Sequence, residues 1–175
     1  PDWDSVPDSV WSRTQLVYVC SPGNPTGAVA TREQLQKWVD FARSCNAIIA
    51  YDAAYEAFVS TPGIPRSIYE IPGARECAIE LRSFSKNGGF TGLRCGFVVI
   101  PKTLMGYKRN GEKYPFHPLW LRNHTTKFNG VAYPVQRAAE ALFSPEGKEQ
   151  VKQLITFYKE NARLLADALT SVGLD

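Results

Sequence analysis

Residues 16–52 read LVYVCSPGNPTGAVATREQLQKWVDFARSCNAIIAYD, and this stretch decides the fold. Its apolar start, 16–20, runs into turn residues, a pattern typical of a buried strand that leads into a loop. Thr31 with Gln34 three residues later has the pattern of a capping box, which predicts a helix from there to Cys45-Asn46. The apolar positions of this helix recur at helical spacing: Leu35, Trp38, Val39 and Ala42. A second apolar run, 47–51, predicts another buried strand that ends at Asp52.

The rest of the chain continues this alternation. Strands are expected at 78–82 and 95–100, and irregular structure at 101–127 and at 60–74, the latter with one helical turn. Helices are expected at 131–143 and from Ser144-Pro145 to Gly173, because proline suits the first turn of a helix and glycine its end. The last helix has an apolar stripe: Val151, Leu154, Ile155, Tyr158, Ala162, Leu165 and Leu169. Strands that alternate with helices predict an α/β fold, a three-layer sandwich with a mostly parallel sheet.

Composition and charge exclude several classes of protein. The chain has 175 residues, of which 44% are hydrophobic and 21% charged, as in an ordinary globular domain. Its net charge of +3 is too small to predict a nucleic-acid or membrane surface. No apolar run reaches the roughly 18 residues of a membrane span. The four cysteines form no Cys-x-x-Cys pair and there are only two histidines, so we expect reduced, buried thiols and no metal site.

Three polar residues follow the ends of predicted strands: Asn24, Asp52 and Ser83. Ligands of open α/β sheets bind outside the carboxyl ends of the strands, so we expect these side chains to converge on one edge of the sheet. Two alternatives stay open at this point. Asn24 with Pro25 can be no more than a turn, and Asp52 can cap a helix.

Lys86 is surrounded in the sequence by groups that suit a phosphate. Ser83, Ser85 and Arg94 can donate hydrogen bonds to phosphate oxygens, and the glycines at 88, 89 and 92 let the backbone approach a ligand closely. Taken alone, the string 83–86 is weak. The serines can simply end a strand, and Lys86 can be a solvated surface residue.

Four motifs occur together in one order: SPGNPTG at 21–27, YDAAY at 51–55, SFSK at 83–86, and then Arg94. Their order and spacing resemble those of the fold-type I aminotransferases that use pyridoxal 5′-phosphate (PLP), the aspartate aminotransferase superfamily. The resemblance extends over nearly the whole chain. It replaces four separate interpretations with one, because a single ligand explains all four motifs.

The resemblance implies a role for each residue. Lys86 would form the Schiff base with PLP and, once displaced, act as general base. Asp52 would pair with the pyridine nitrogen, and Asn24 and Tyr55 would hydrogen-bond the phenolic oxygen of the ring, although Tyr55 taken alone can be a core aromatic. The remaining cofactor-binding residues that the motifs imply are Ser83, Phe84, Ser85 and Arg94, of which the two serines and Arg94 would hold the phosphate. Pro25 resembles a proline that this family commonly holds in a cis peptide bond.

Two longer strings, 83–96 and 126–131, look like those of the LL-diaminopimelate aminotransferases within this superfamily. That likeness implies ping-pong transfer of an amino group between LL-2,6-diaminopimelate and 2-oxoglutarate in lysine biosynthesis, with Asn24 and Asn129 at the substrate. Asn129 is equally open to interpretation as the N-cap of the helix that follows. Three other hypotheses remain: another fold-type I aminotransferase or PLP lyase, an aminotransferase-like effector domain of a transcription regulator, and a phosphate-binding α/β domain without PLP.

The chain starts at Pro1 without a methionine and stops in a stretch that reads like the beginning of a strand, so we expect a segment of a longer protein. We expect 1–145 to be part of the PLP-binding large domain, and 146–175 to be a long helix that leads into a C-terminal small domain. The resemblance further implies a homodimer, small amino-acid and 2-oxo-acid substrates, and no nucleic-acid or membrane partner. It places the protein in the cytoplasm, or in the plastid of a plant or alga.

Overall fold

The computed structural model describes residues 2–174, which fall into two compact units. The first unit consists of the described residues up to 83 together with 96–130, and the second of 84–95 together with the described residues from 131 onward. The domain boundary expected at residue 145 stays a prediction.

A four-stranded sheet forms the centre of the first unit. Its strands, in spatial order, are β1 (Leu16–Cys20), β2 (Ile48–Asp52), β3 (Ala78–Ser83) and β4 (Gly96–Val99). The first three are parallel and β4 is antiparallel to β3, which confirms the mostly parallel sheet. The carboxyl ends of three strands therefore lie at one edge of the sheet, and the start of β4 lies beside them.

Helices α1 (Asp8–Trp11) and α2 (Arg32–Cys45) precede β2 in the chain. The start of α2 is the predicted capping box, in which Thr31 and Gln34 each accept a hydrogen bond from the other's backbone N–H. The predicted apolar face is buried, and its inner residues form one core with β2: Leu35, Val39, Ala42, Ile49 and Tyr51. Trp38, at the outer part of this face, packs against Trp3 in a tilted arrangement and against Trp11 edge to face.

The segment 101–127 is not irregular, and that expectation was wrong. It contains an antiparallel hairpin of β5 (Met105–Tyr107) and β6 (Lys113–Pro115), followed by helix α4 (Phe116–Lys127). Its pattern hid the helix because Leu119, Trp120 and Leu121 are consecutive and all exposed, so no stripe at helical spacing exists. Between β2 and β3 the chain makes three short 3₁₀ turns: Glu56–Phe58, Ile68–Glu70 and Ala74–Glu76. Ile68–Glu70 confirms the single helical turn expected within 60–74, and the other two begin outside that segment or at its end.

The second unit contains helices α3 (Phe84–Asn87), α5 (Tyr133–Ala141) and α6 (Pro145–Ser171). As predicted, Ser144 caps α6 by accepting a hydrogen bond from the backbone of Gly147, and Pro145 occupies the first turn. Its predicted apolar stripe is half-buried over the first turns, and the side chains from Tyr158 onward are exposed. A small apolar core holds the unit together: Phe84, Phe90, Cys95 and Ala139.

Candidate active site

The strand register brings the predicted polar residues of the first unit to one edge of the sheet. Asp52, the last residue of β2, is paired with Cys20 at the end of β1 and with Leu81 in β3. Ser83 is the last residue of β3, and Asn24 follows β1 in the next loop. Ser83 pairs with Gly96, where a Cβ would lie 2.6 Å from the carbonyl oxygen of Arg82. Glycine is therefore required for the two strands to approach closely here.

Asp52 is half-buried and shapes the turn after β2. Its Oδ1 accepts a hydrogen bond from the backbone N–H of Ala54 at 2.9 Å, and Ala53 donates its own N–H to the carbonyl of Leu81 at 3.0 Å. These two bonds turn the chain across the edge of the sheet toward Tyr55. The N-cap of the following 3₁₀ turn is Tyr55, not Asp52, so the interpretation of Asp52 as a helix cap is wrong.

Asn24 and Tyr55 meet although they are far apart in the sequence. Asn24 Nδ2 donates to the phenol oxygen of Tyr55 at 3.3 Å, across a sequence separation of 31 residues. The Asn24–Pro25 peptide is cis, as the resemblance implies, and so is Ser21–Pro22. Asn24 thus does more than form a turn, and half-buried Tyr55 lies outside the buried core. The two loops border a cavity of about 440 Å³, lined also by Phe58 and Val59.

A buried charged network lies on the other face of the sheet from Asp52. Glu80 and Arg82 alternate on β3, and the Glu80 side chain is only 3% exposed. Arg82 Nε donates to Glu80 at 2.7 Å, and Arg82 Nη1 pairs with Glu56 at 3.0 Å. The pattern analysis missed these residues. The signal was available, because a glutamate and an arginine stand two residues apart in a strand whose other residues before Ser83 are apolar.

Burial under this network raises the pKa of two tyrosines, Tyr51 and Tyr69. Loss of solvation is the larger cause for both, and the negative charge of Glu80 adds to it. Tyr69 donates its hydroxyl toward the carbonyls of Ala78 and Val99, at 3.1 and 2.9 Å, and so ties β3 to β4. Both phenols therefore stay neutral and serve the fold.

In the second unit, Ser85 and Lys86 are half-buried on α3. Arg94 has a left-handed backbone with φ of 55°, and its Nη1 donates to the carbonyl of Thr91 at 2.9 Å. Thr91 in turn donates its hydroxyl to the carbonyl of Ser85 at 3.1 Å. A chain of hydrogen bonds thus orders the loop that joins Lys86 to Arg94.

Phe84 differs from the other predicted cofactor residues. Its ring is buried in the apolar core of the second unit, with its centroid 6.0 Å from that of Phe90. Its backbone N–H donates to the carbonyl of Cys95. The structure shows a packing role for this side chain, and its contribution to cofactor binding stays a prediction.

Asn129 lies exposed in the loop after α4, before Gly130 with its positive φ. The N-cap of α5 is Ala132, so the interpretation of Asn129 as that cap is wrong. Among residues 2–174, no group of three or more His, Cys, Asp or Glu side chains is placed to hold a metal ion. Over the same residues, no helix has both the length and the apolar character needed to cross a membrane.

Comparison with known proteins agrees with this geometry. A sequence profile of the aminotransferase class I and II family matches residues 2–175. The chain is 59% identical to an LL-diaminopimelate aminotransferase of Desulfosudis oleivorans over 158 residues, which are 90% of this chain and 39% of that protein.

Solved structures show the same relationship. The L,L-diaminopimelate aminotransferase from Chlamydomonas reinhardtii superposes with a TM-score of 0.86 at 48% identity, over 99% of this chain and 40% of that one. An aromatic aminotransferase from Pyrococcus horikoshii matches with a TM-score of 0.78 at 26% identity, over 98% of this chain and 42% of that one. The chain thus spans about two fifths of the length of these relatives, and it has the fold-type I α/β architecture. From its sheet, its motifs and these relatives, the chain belongs to the family of class I and II aminotransferases.

Proposed function

We propose that the protein containing this chain is a PLP-dependent aminotransferase. Its preferred amino donor would be LL-2,6-diaminopimelate and its acceptor 2-oxoglutarate, in lysine biosynthesis. The observation that carries the proposal is the 59% identity to an LL-diaminopimelate aminotransferase over 90% of the chain. Class I and II aminotransferases depend on PLP.

The polar side chains at the edge of the sheet fit this cofactor. A half-buried carboxylate, Asp52, suits a protonated ring nitrogen, because an adjacent negative charge favours the charged form of a base. The Asn24–Tyr55 pair suits the phenolic oxygen of the ring. Accepting a hydrogen bond from Asn24 polarises the phenol of Tyr55 and strengthens donation by its own O–H.

The second unit offers groups of the kind that hold a phosphate and an aldehyde. We propose that Ser85 and Arg94 of this unit, with Ser83 of β3, hold the phosphate, since hydroxyl and guanidinium hydrogen bonds to an anion are charge-assisted. Lys86 is the amine that would bind the cofactor covalently.

When bound, PLP supplies an aldehyde that condenses with amino groups and a ring that withdraws electrons from the carbon bearing the amine. The residues of the chain would move the proton and hold the ring in place. After the substrate displaces it, the Lys86 amine would move the proton from the substrate Cα to C4′ of the cofactor, and it would move a proton the opposite way in the second half-reaction. Asp52 would hold the proton on the ring nitrogen throughout, and Tyr55 and Asn24 would donate hydrogen bonds to the phenolic oxygen.

Substrate preference is the finer part of the proposal. Diaminopimelate carries an amino-carboxylate group at each end, so its site needs polar groups at the far end of the substrate as well as at the reacting carbon. A site built to hydrogen-bond that far end rejects shorter analogues, whose binding would leave buried polar groups unpaired. We propose that exposed Asn129 makes such a contact. In this proposal Asn24 lies near the reacting end, the enzyme is a homodimer, and it works in the cytoplasm or a plastid.

Steady-state assays of the full-length protein test the proposal with LL-diaminopimelate, aspartate and phenylalanine as amino donors. We expect the highest kcat/KM for LL-diaminopimelate. Phenylalanine is included as a donor because the chain is similar to an aromatic aminotransferase. A higher kcat/KM for aspartate or phenylalanine would leave an aminotransferase of another specificity.

Two variants separate the cofactor from the substrate part of the proposal. Lys86→Ala should remove the bond to PLP that borohydride can reduce, and a bond that survives in this variant would refute the assignment of Lys86. Asn129→Ala should lower kcat/KM for LL-diaminopimelate by about tenfold or more, the cost of one lost hydrogen bond to a charged group, with little change in PLP affinity. Equal losses of kcat/KM for all three amino donors would refute the proposal that Asn129 contacts the far end of the substrate.

A further inference from the structure

The buried network of the first unit joins three segments through one guanidinium group. Arg82 of β3 donates Nε to Glu80 at 2.7 Å, Nη1 to Glu56 at 3.0 Å, and Nη2 to the carbonyl of Arg66 at 3.1 Å. The Arg82 and Glu56 side chains are only 19% and 20% exposed. A planar guanidinium with a partner on each nitrogen holds those partners in a defined arrangement.

Glu80 anchors this arrangement to the interior. Its second oxygen accepts hydrogen bonds from Ser67 Oγ at 2.7 Å and from the backbone N–H of Ile68 at 2.9 Å. Every contact of the Glu80 carboxylate therefore comes from a charged or hydrogen-bonding partner, which is what a buried charge requires. Arg82 is held at one end by a fixed carboxylate and can itself position a second one.

That second carboxylate belongs to the residue next to Tyr55. Glu56 opens the 3₁₀ turn Glu56–Phe58, and its N–H donates to the carbonyl of Ala53 at 3.1 Å. The turn is also tied to β3 through the N–H of Ala53, which donates to the carbonyl of Leu81. The Arg82–Glu56 pair is thus a side-chain tether of the turn that presents the Tyr55 phenol to Asn24.

We propose that Glu80, Arg82 and Glu56 are positioning residues, which hold Tyr55 in place for the phenolic oxygen of the cofactor. The inference rests on the proposed function for the identity of that cofactor. A buried ion pair contributes little net stability compared with apolar residues of the same size. We therefore infer that the Arg82–Glu56 pair serves to fix the position of the turn rather than to stabilise the fold. Because the guanidinium binds three segments at once, loss of Glu56 releases the turn and leaves the Arg82–Glu80 pair intact.

Glu56→Ala in the full-length protein is the test, because it removes the tether without leaving the buried charge of Glu80 unpaired. Glu56→Gln is the conservative rescue, since an amide oxygen can still accept from Arg82. The matched control is Glu76→Ala, which breaks an ion pair of the same 3.0 Å length with Arg43, both partners being far more exposed.

The first readout needs no cofactor. In the apoprotein, amide hydrogen exchange across 53–59 should become about tenfold faster in Glu56→Ala, and should stay at the wild-type rate in Glu76→Ala and Glu56→Gln. Wild-type exchange in Glu56→Ala would overturn the tether. Equal acceleration in Glu76→Ala would overturn its specificity.

The second readout uses the bound cofactor. Hydrogen-bond donors to a phenolate favour its charged form, so a displaced Tyr55 should raise the pKa of the PLP chromophore, followed by absorbance against pH, by up to about one unit. PLP affinity should fall by about tenfold in Glu56→Ala and recover in Glu56→Gln. A chromophore unchanged in Glu56→Ala would overturn the positioning role. If the wild-type protein bound no PLP, the proposed function would fail instead, and the exchange experiment would still decide whether the tether exists.

Discussion

Tyr55→Phe separates a catalytic from a structural role for the phenol that meets Asn24. The substitution removes one hydroxyl and keeps the ring, so packing around the half-buried side chain is preserved. Within the protein, the hydroxyl accepts one hydrogen bond from Asn24 at 3.3 Å, beyond the usual range for N–H···O bonds, and Asn24 is exposed. Loss of this bond should lower the free energy of unfolding by about 0.5 kcal/mol.

The expected loss of cofactor binding is much larger. A hydrogen bond to a charged group is worth about 1.5–3 kcal/mol, so removal of the donor to the phenolic oxygen should weaken PLP binding by about 10- to 150-fold. PLP affinity is measured by absorbance titration of the full-length apoprotein, and stability by its thermal midpoint. The control is Tyr107→Phe, which removes a hydroxyl from the hairpin strand β5 of the same unit.

Two results would refute the reasoning. A fall of more than about 5 °C in the thermal midpoint with unchanged PLP affinity would make Tyr55 a structural residue, since such a fall exceeds one weak hydrogen bond. A loss of PLP affinity of equal size in Tyr107→Phe would show that the effect is not specific to the site.

Two further predictions concern Asp52 and Cys77. Asp52→Asn keeps an acceptor for the N–H of Ala54 but removes the charge, so kcat should fall at least about a hundredfold with the fold intact. Asp52→Ala also removes the acceptor and should in addition lower the free energy of unfolding by about 1 kcal/mol. Near wild-type turnover in Asp52→Asn would contradict the role given to the charge of Asp52. Burial raises the pKa of the Cys77 thiol from 9.0 to about 11. The unfolded thiol therefore ionises first, so stability is complete below pH 9 and falls as the pH rises toward 11, by on the order of 3 kcal/mol at about 1.36 kcal/mol per unit of pKa. Thermal midpoints measured from pH 8 to 11 should show this loss in the wild type and a smaller one in Cys77→Ala, and identical profiles would show that Cys77 does not cause it.

The fold could be predicted from the sequence where local rules and burial agree. The strands of a sheet covered by helices are continuous apolar runs, and the capping box at Thr31 marks the start of a helix by chemistry local to four residues. The segment 101–127 could not be predicted in this way. Helix α4 has no buried residue and no apolar stripe. Gly106 of the hairpin is buried under the ring of Tyr114, a contact that no local pattern encodes.

The candidate site, like the fold, could be predicted from the sequence only in part. The sequence by itself determined which residues are candidates for the chemistry, because Asn24, Asp52, Ser83 and Lys86 stand in motifs next to strand ends, and parallel strands end at a common edge. Only the tertiary structure decided which side chains touch. The bond from Asn24 to Tyr55 spans 31 residues, and the pair between Arg82 and Glu56 joins a strand to a loop that precedes it in the chain. Such contacts depend on how distant segments pack in three dimensions, and a pattern confined to neighbouring residues contains no information on that packing.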